Sequence, residues 1–362
     1  MDNLNYNNDD AFNKEMRLSR AEREQNEKDE AISNLITDWY IPEKDPLTGY
    51  VYPGPINIAD KDELQSLTIT LNELSKEKSQ LNPEHDDFIV MDRGRIYRGH
   101  KINALTGNVF ALRRVADKIP ELGNLGLERA IQEVISHKML SRGGLILIIG
   151  ETGQGKSTTC AAAIKKRMDL YGSFCLTIED PPELPLHGAH AHGRCIQTEV
   201  ISGDFAGALK GAMRSYPTVS GSMLYVGETR DSETAKEVLR IVTNGHLVFT
   251  TLHASDIVAG LGRFIGLATS GDMNEKYVRD ILSSSLRLVL HQELKVLPNL
   301  GRNSGLKKRL DVNFLLSHGP TTPVAQKIKS GTLAQLSTDL DMQKTQLKQH
   351  GVDGLLRDWS KE

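Results

Sequence analysis

One stretch restricts the fold more than any other: Gly150-Glu151-Thr152-Gly153-Gln154-Gly155-Lys156-Ser157-Thr158. It reads G-x-x-x-x-G-K-S, follows the apolar run Leu145 to Ile149, and precedes a helical pattern from Thr158 to Met168. Strand, glycine loop and helix in that order are the setting a phosphate-binding loop requires. The three glycines allow the backbone N–H groups to curl around an anion, and the helix N-terminus adds about half a positive charge. In such a loop Lys156 reaches the β- and γ-phosphates and the Ser157 hydroxyl sits on Mg²⁺. A strand so placed belongs in a mostly parallel sheet with helices on both faces.

The chain agrees with that frame. From Leu127 onward helices and strands alternate. Helices are expected at Leu127–Met139, Phe205–Met213, Ser232–Thr243, Ile257–Leu267, Glu275–Leu290, Pro323–Lys329 and Leu333–His350. Strands are expected at Ser173–Glu179, Arg194–Val200, Met223–Val226 and His246–Thr251, with a late pair at Glu293–Val296 and Leu310–Leu316.

Before residue 119 the pattern differs. Residues 1–36 form a charged N-terminal extension, Asn- and Asp-rich and then mixed in charge, which reads as a solvated helix or a partner-binding one. Residues 37–118 read as a small α/β domain. Trp39, Tyr40, Tyr50 and Tyr52 lie among prolines, and 61–79 has an amphipathic helical pattern. Strands follow at Asp87–Met91, Arg95–Leu105 and Val109–Val115, with a turn at Thr106-Gly107-Asn108. Pro120, Gly123 and Gly126 mark 119–126 as a linker. The expected order is completed by a P-loop core at 127–270 and a mainly helical C-terminal part at 271–362.

Composition excludes several classes. Lys plus Arg is 44 against 47 acids, a net charge of −3, which gives no global attraction to nucleic acid or anionic membrane. No apolar run reaches the roughly 18 residues of a spanning helix. The N-terminus has no signal-peptide core, so a cytoplasmic protein is expected. Cys160, Cys175 and Cys195 form no C-x-x-C pair, consistent with reduced thiols.

Three further strand ends carry candidate chemistry. Met223-Leu224-Tyr225-Val226-Gly227-Glu228 ends a buried strand in a carboxylate, placing Glu228 beside the phosphates to polarise an attacking water. Thr177-Ile178-Glu179-Asp180-Pro181-Pro182-Glu183 is a second acidic strand end, and a carboxylate there suits Mg²⁺. His253 closes the strand after His246 and would emerge at the same edge. His187, His190 and His192 have no recognised ligand spacing and read as a polar loop. Arg93, Arg95, Arg98, Arg113 and Arg114 cluster in the first domain, either as a solvated sheet face or as arginine supplied to nucleotide.

Taken together the motifs resemble the secretion and pilus-motor ATPases, specifically the type IV pilus retraction (PilT-like) ATPases. Four boxes appear in family order: Gly150–Ser157, Thr177–Glu183, Leu224–Asp231 and Gly245–His253. Val226-Gly227-Glu228-Thr229-Arg230-Asp231 and Gln197-x-Glu199-Val200 also fit. The resemblance implies a PAS-like N-terminal domain followed by a RecA-like P-loop domain. It also implies a homohexameric ring with ATP bound between domains, domain motion on hydrolysis, and an inner-membrane platform protein as partner. Through it Gly150, Thr152, Gly153, Gln154, Gly155, Lys156, Ser157 and Thr158 are assigned to nucleotide, and Ser157 and Glu179 to Mg²⁺. Glu228 takes the role of catalytic glutamate, His253 lies near the γ-phosphate, and Arg113 or its neighbour Arg114 comes from the first domain. ATP and Mg²⁺ are the implied cofactors.

Departures are visible too. Glu151 stands where the family usually has proline, about four extra residues fall near Thr218–Gly221, and the late Ala-Ile-Arg motif is not evident near Pro323. No cysteine follows Cys195, so the four-cysteine zinc module of pilus-extension relatives is missing and no zinc is expected. The type IVB secretion and conjugation ATPases remain the close alternative. A nucleic-acid translocase on a RecA-like core and a non-hydrolysing regulatory subunit are the rivals from other classes.

Overall fold

The structure is a computed structural model and describes residues 38–52, 67–71, 87–92, 95–116, 118–200, 203–216, 222–270, 273–298 and 306–357. The sequence readings for 1–36, for Thr218–Gly221, for Arg93 and for most of 61–79 lie outside these residues. The chain divides into two compact units, one through Val115 and one from Ala116.

The first unit is an antiparallel sheet. Its strands are β1 (Asp38–Pro42), β2 (Tyr50–Tyr52), β3 (Asp87–Asp92), β4 (Arg95–Ala104) and β5 (Gly107–Arg114), in the order β2-β1-β5-β4-β3. Residues 67–71 are helical, and Leu67 and Leu71 join Trp39, Ile41, Phe88, Val90, Tyr97, Phe110 and Leu112 in one core. Period-two alternation produces it: Trp39 and Ile41 on β1 point inward, and their neighbours are less buried. Gly99 is required, because a Cβ there would lie 2.1 Å from the Phe88 ring. The β4–β5 hairpin turns at Leu105-Thr106, with Ala104 opposite Gly107, so the turn sits earlier than Thr106-Gly107-Asn108. Gly107, the first residue after the turn, has φ +126, a conformation L side chains rarely adopt.

The second unit has an eight-stranded sheet. Its elements in chain order are α1 (Arg129–Ser136), β6 (Gly144–Ile149), α2 (Lys156–Tyr171), β7 (Ser173–Glu179), β8 (Gly188–Ala189), β9 (Gly193–Glu199), α3 (Phe205–Arg214) and β10 (Met223–Val226). There follow α4 (Ser232–Thr243), β11 (Leu247–Leu252), α5 (Ile257–Thr269), α6 (Glu275–Ser285), β12 (Leu286–Pro298), β13 (Leu306–Leu316), α7 (Pro323–Ser330) and α8 (Leu336–Leu355). The strand order is β13-β12-β6-β11-β10-β7-β9-β8, and all pairings from β12 to β9 are parallel. Every residue of β6 is buried, as expected of a parallel strand covered on both faces. Ile146 and Ile148 pack with Cys160, Ala161 and Ile164 of α2, whereas Leu145, Leu147 and Ile149 pack with Val238, Leu261 and Phe264 of α4 and α5. Leu122 and Leu127 are buried in the first of these cores, so the 119–126 segment packs on the second unit.

One expectation is corrected. The helix expected over Glu275–Leu290 ends at Ser285, and Leu286 starts a thirteen-residue strand. Leu288 and Leu290 face one core while Leu286 and Val289 face the other, with a bulge between Leu286 and Leu288. A short, mostly apolar run such as Leu286–Leu290 does not distinguish helix from buried strand by periodicity alone, and pairing with β6 decides it here. This strand therefore belongs to the central sheet beside the phosphate loop. In α8, Gly351 at φ +66 breaks the helix late.

Candidate active site

Parallel strands bring their carboxyl ends to one edge of the sheet, and four motifs leave from that edge. Ile149 pairs with Leu252, and Val226 pairs with Ile178 and Thr250. The glycine loop, Glu179, Glu228 and His253 follow or end these strands, so segments as far as 101 residues apart in sequence meet in one place.

The loop has the backbone such a site needs. Gly153 and Gly155 both have φ +78, a region L side chains rarely enter. The first N–H groups of α2 have no side-chain cap, although Asp231 and Asp256 cap α4 and α5. Those N–H groups are left to an anion. Lys156, only 7% exposed, bends back over the loop and donates to the carbonyls of Gly150 (2.9 Å) and Glu151 (2.8 Å). The Glu151 side chain itself is exposed.

Lys156 Nζ also lies 3.3 Å from His253 Nδ1, and Thr152 Oγ1 lies 3.5 Å from the same nitrogen. An ammonium only donates, so Nδ1 accepts, and the imidazole proton sits on Nε2. That nitrogen is 3.2 Å from Glu228 Oε1. The other oxygen of Glu228 accepts Arg230 Nε at 2.8 Å. Burial, and then the Lys156 charge, holds the His253 pKa below the ordinary histidine range, which agrees with a neutral ring. Burial also lowers Lys156, with Glu228 and Glu183 opposing it. Arg263 donates to the His253 carbonyl at 2.9 Å and fixes the turn after β11.

Glu179 is 4% exposed and rests against Gly227, where an added Cβ would stand 3.3 Å from its Cγ. Gln197 Nε2 donates to it at 2.9 Å and also to the Leu184 carbonyl, while Gln197 Oε1 accepts from Leu186 and His187 N–H. Burial pushes the Glu179 pKa up to about 7. The native state therefore binds this proton more tightly than the unfolded chain between about pH 4.5 and pH 7, and stability falls as pH rises through that window. In chain free of nucleotide and magnesium, we expect this one group to remove about 3 kcal/mol of stability across that window. Denaturant unfolding of Glu179→Gln against wild type at several pH values checks it. The variant should lack that part of the slope.

The donor set suits magnesium. The Ser157 hydroxyl, hydrogen-bonded with Tyr225, stands at the start of α2, and Glu179 is a buried carboxyl whose proton a cation would displace. Among the described residues no three His, Cys, Asp or Glu side chains converge. Magnesium does not need such a cage, because it binds through one or two protein oxygens plus phosphates and water.

The structure thus brings together Thr152, Lys156, Glu179, Glu228 and His253. Arg113 is in the first unit, on β5, ion-paired with Asp38 at 2.7 Å and largely exposed. Arg230 and Arg263 carry no role in the sequence reading, and neither does the Gln197–Glu179 contact. Arg230 stands two residues after Glu228, a spacing that could have flagged it. Nothing local flags Arg263, which reaches back ten residues.

Comparison with known proteins agrees with this fold. Residues 97–332 match the family model described as type II/IV secretion system protein. An uncharacterized Escherichia coli protein, YggR, is 30% identical over 82% of this chain and 88% of its own length. The type IV pilus retractation ATPase PilT of Pseudomonas aeruginosa is 32% identical over 55% of this chain, and the match spans 55% of that protein. The crystal structure of the pilus retraction motor PilT with bound ADP superposes with a TM-score of 0.65 at 27% identity, covering 91% of this chain and 94% of that one.

Proposed function

The chain belongs to the type II/IV secretion system proteins, a family of ATP hydrolases, and from that premise we propose that it is the Mg²⁺-dependent ATPase motor of type IV pilus retraction. The observation that carries the reading is the chain of contacts from the phosphate loop through Lys156 and His253 to Glu228, at the sheet edge where nucleotide binds in open α/β folds. In it, the loop N–H groups from Gly150 to Thr158 cradle the phosphates. Lys156 exchanges its loop carbonyls for phosphate oxygens, and Ser157 and Glu179 would hold Mg²⁺, which when bound would supply positive charge against the phosphates. Glu228, steadied by Arg230 and His253, orients water and takes its proton. The neutral His253 keeps Glu228 and Lys156 in register.

The reading extends to a homohexamer in which Arg113 or Arg114 of the first unit reaches nucleotide, and to domain motion coupled to hydrolysis. That motion would act on an inner-membrane platform protein from the cytoplasmic side. Among the described residues no helix is long and apolar enough to cross a membrane. A deletion strain tests the biological role. Excess surface pili with loss of twitching is the expected phenotype. Bald cells, or a defect confined to DNA transfer or secretion, would reject retraction in favour of another branch of the family.

A further inference from the structure

The phosphate loop is held from outside as well as from within. A loop that binds an anion through N–H groups turns its carbonyls away from the anion, and in a packed setting those carbonyls need donors. Gly150 and Glu151 use Lys156, a donor that on the reading above also serves phosphate. The carbonyl of Gln154 uses a different one: Gln292 Nε2, at 2.6 Å, from 138 residues away. The contact is returned, since Gln154 Oε1 accepts the Leu294 N–H at 2.5 Å.

The course of β12 explains the arrangement. Its pairing with β6 runs to His291 opposite Ile149, and beyond that point β12 continues beside β13. The glycine loop covers the side that β6 has left. There the Gln154 side chain gives Leu294 the acceptor a strand would have given. Gly150 approaches so closely that a Cβ on it would lie 2.5 Å from the Gln292 carbonyl oxygen. Gln292 is 1% exposed, and its Oε1 is buried with no hydrogen-bond partner among the described residues. A buried amide with an orphan oxygen destabilises a fold relative to an apolar side chain of the same shape. Folding alone therefore gives no reason for glutamine at this position, whereas the bond to Gln154 does.

We propose that Gln292 is a positioning residue for nucleotide binding: together with Gln154 it braces the phosphate loop against β12, keeping the loop's N–H groups turned to the phosphates when Lys156 leaves the loop carbonyls. The proposal rests on the ATP-site reading above. It also gives the late strand pair, joined to α8 by reciprocal bonds between Leu316 and Gln343 (2.8 and 2.9 Å), a direct connection to the nucleotide site.

Gln292→Met tests it in the full chain, because methionine matches the shape and removes both the donor and the orphan oxygen. The melting temperature without nucleotide should equal or exceed that of wild type. The Kd for ADP, read with a fluorescent ADP, should rise about tenfold. Gln154→Leu removes the return bond at a partly exposed position and should weaken ADP to a similar degree. A purely structural role predicts the opposite split, a lower melting temperature with unchanged affinity, and that result would overturn the brace. If Gln292→Met does not fold, Gln154→Leu decides, and affinity within about twofold of wild type overturns the proposal. A wild-type chain that binds no ADP sinks the ATP-site reading and the brace together. Wild type that binds, with variants that bind equally well, sinks the brace alone.

Discussion

Replacing Glu228 by glutamine leaves ATP binding within a few-fold of wild type and slows turnover by about 10²- to 10⁴-fold, the range a positioned general base contributes. The reason is local. The carboxylate faces two donors, Arg230 Nε on one oxygen and His253 Nε2 on the other. An amide of the same shape accepts from only one of them and does not take up a proton. The loop and Lys156 do not depend on that charge for their contacts with the Gly150 and Glu151 carbonyls. Binding and chemistry should therefore separate cleanly, with equilibrium nucleotide binding near normal and single-turnover phosphate release nearly abolished.

Lys156→Ala gives the second large effect, on both quantities. It removes the cation that, among the described residues, lies within hydrogen-bonding distance of both the loop carbonyls and His253. ATP affinity should fall by about 10²-fold or more, since hydrogen bonds to charged groups contribute more than neutral ones and the long-range attraction goes too. Turnover should drop to background. Loss of the lysine also leaves the Gly150 and Glu151 carbonyls without their donor, so the empty loop should loosen. Faster backbone amide exchange over 150–155 in the variant measures this.

How much of this was legible in the sequence depended on range. The loop was readable because strand, glycines, lysine and helix are contiguous. Glu179, Glu228 and His253 were readable because each ends an apolar strand, and parallel strands share an edge. The start of β12 was read as helix because Leu286 to Leu290 directly extends the pattern of α6, and only its pairing with β6 reveals that the strand expected at Glu293–Val296 begins this early. Contacts between distant segments left no local sign. Gln292 meets Gln154 from 138 residues away, and Arg113 meets Asp38 from 75. Gln197 is different, because its segment drew notice as a motif, yet its hold on Glu179 follows only from the β7–β9 register that sets Thr177 opposite Gln197.

The exposed Glu151 fits the same logic. An acid in a phosphate cradle is unfavourable only if its side chain turns inward. Here the backbone carbonyl is what Lys156 takes, and the side chain is in solvent.

Steady-state phosphate release by the purified full chain with ATP, with and without Mg²⁺, tests the central claim most directly. The account predicts release that requires Mg²⁺ and disappears in Lys156→Ala and Glu228→Gln, with ATP still bound by the second variant. Release that persists at the wild-type rate in Glu228→Gln, or a wild-type chain that binds ATP and never cleaves it, would contradict it.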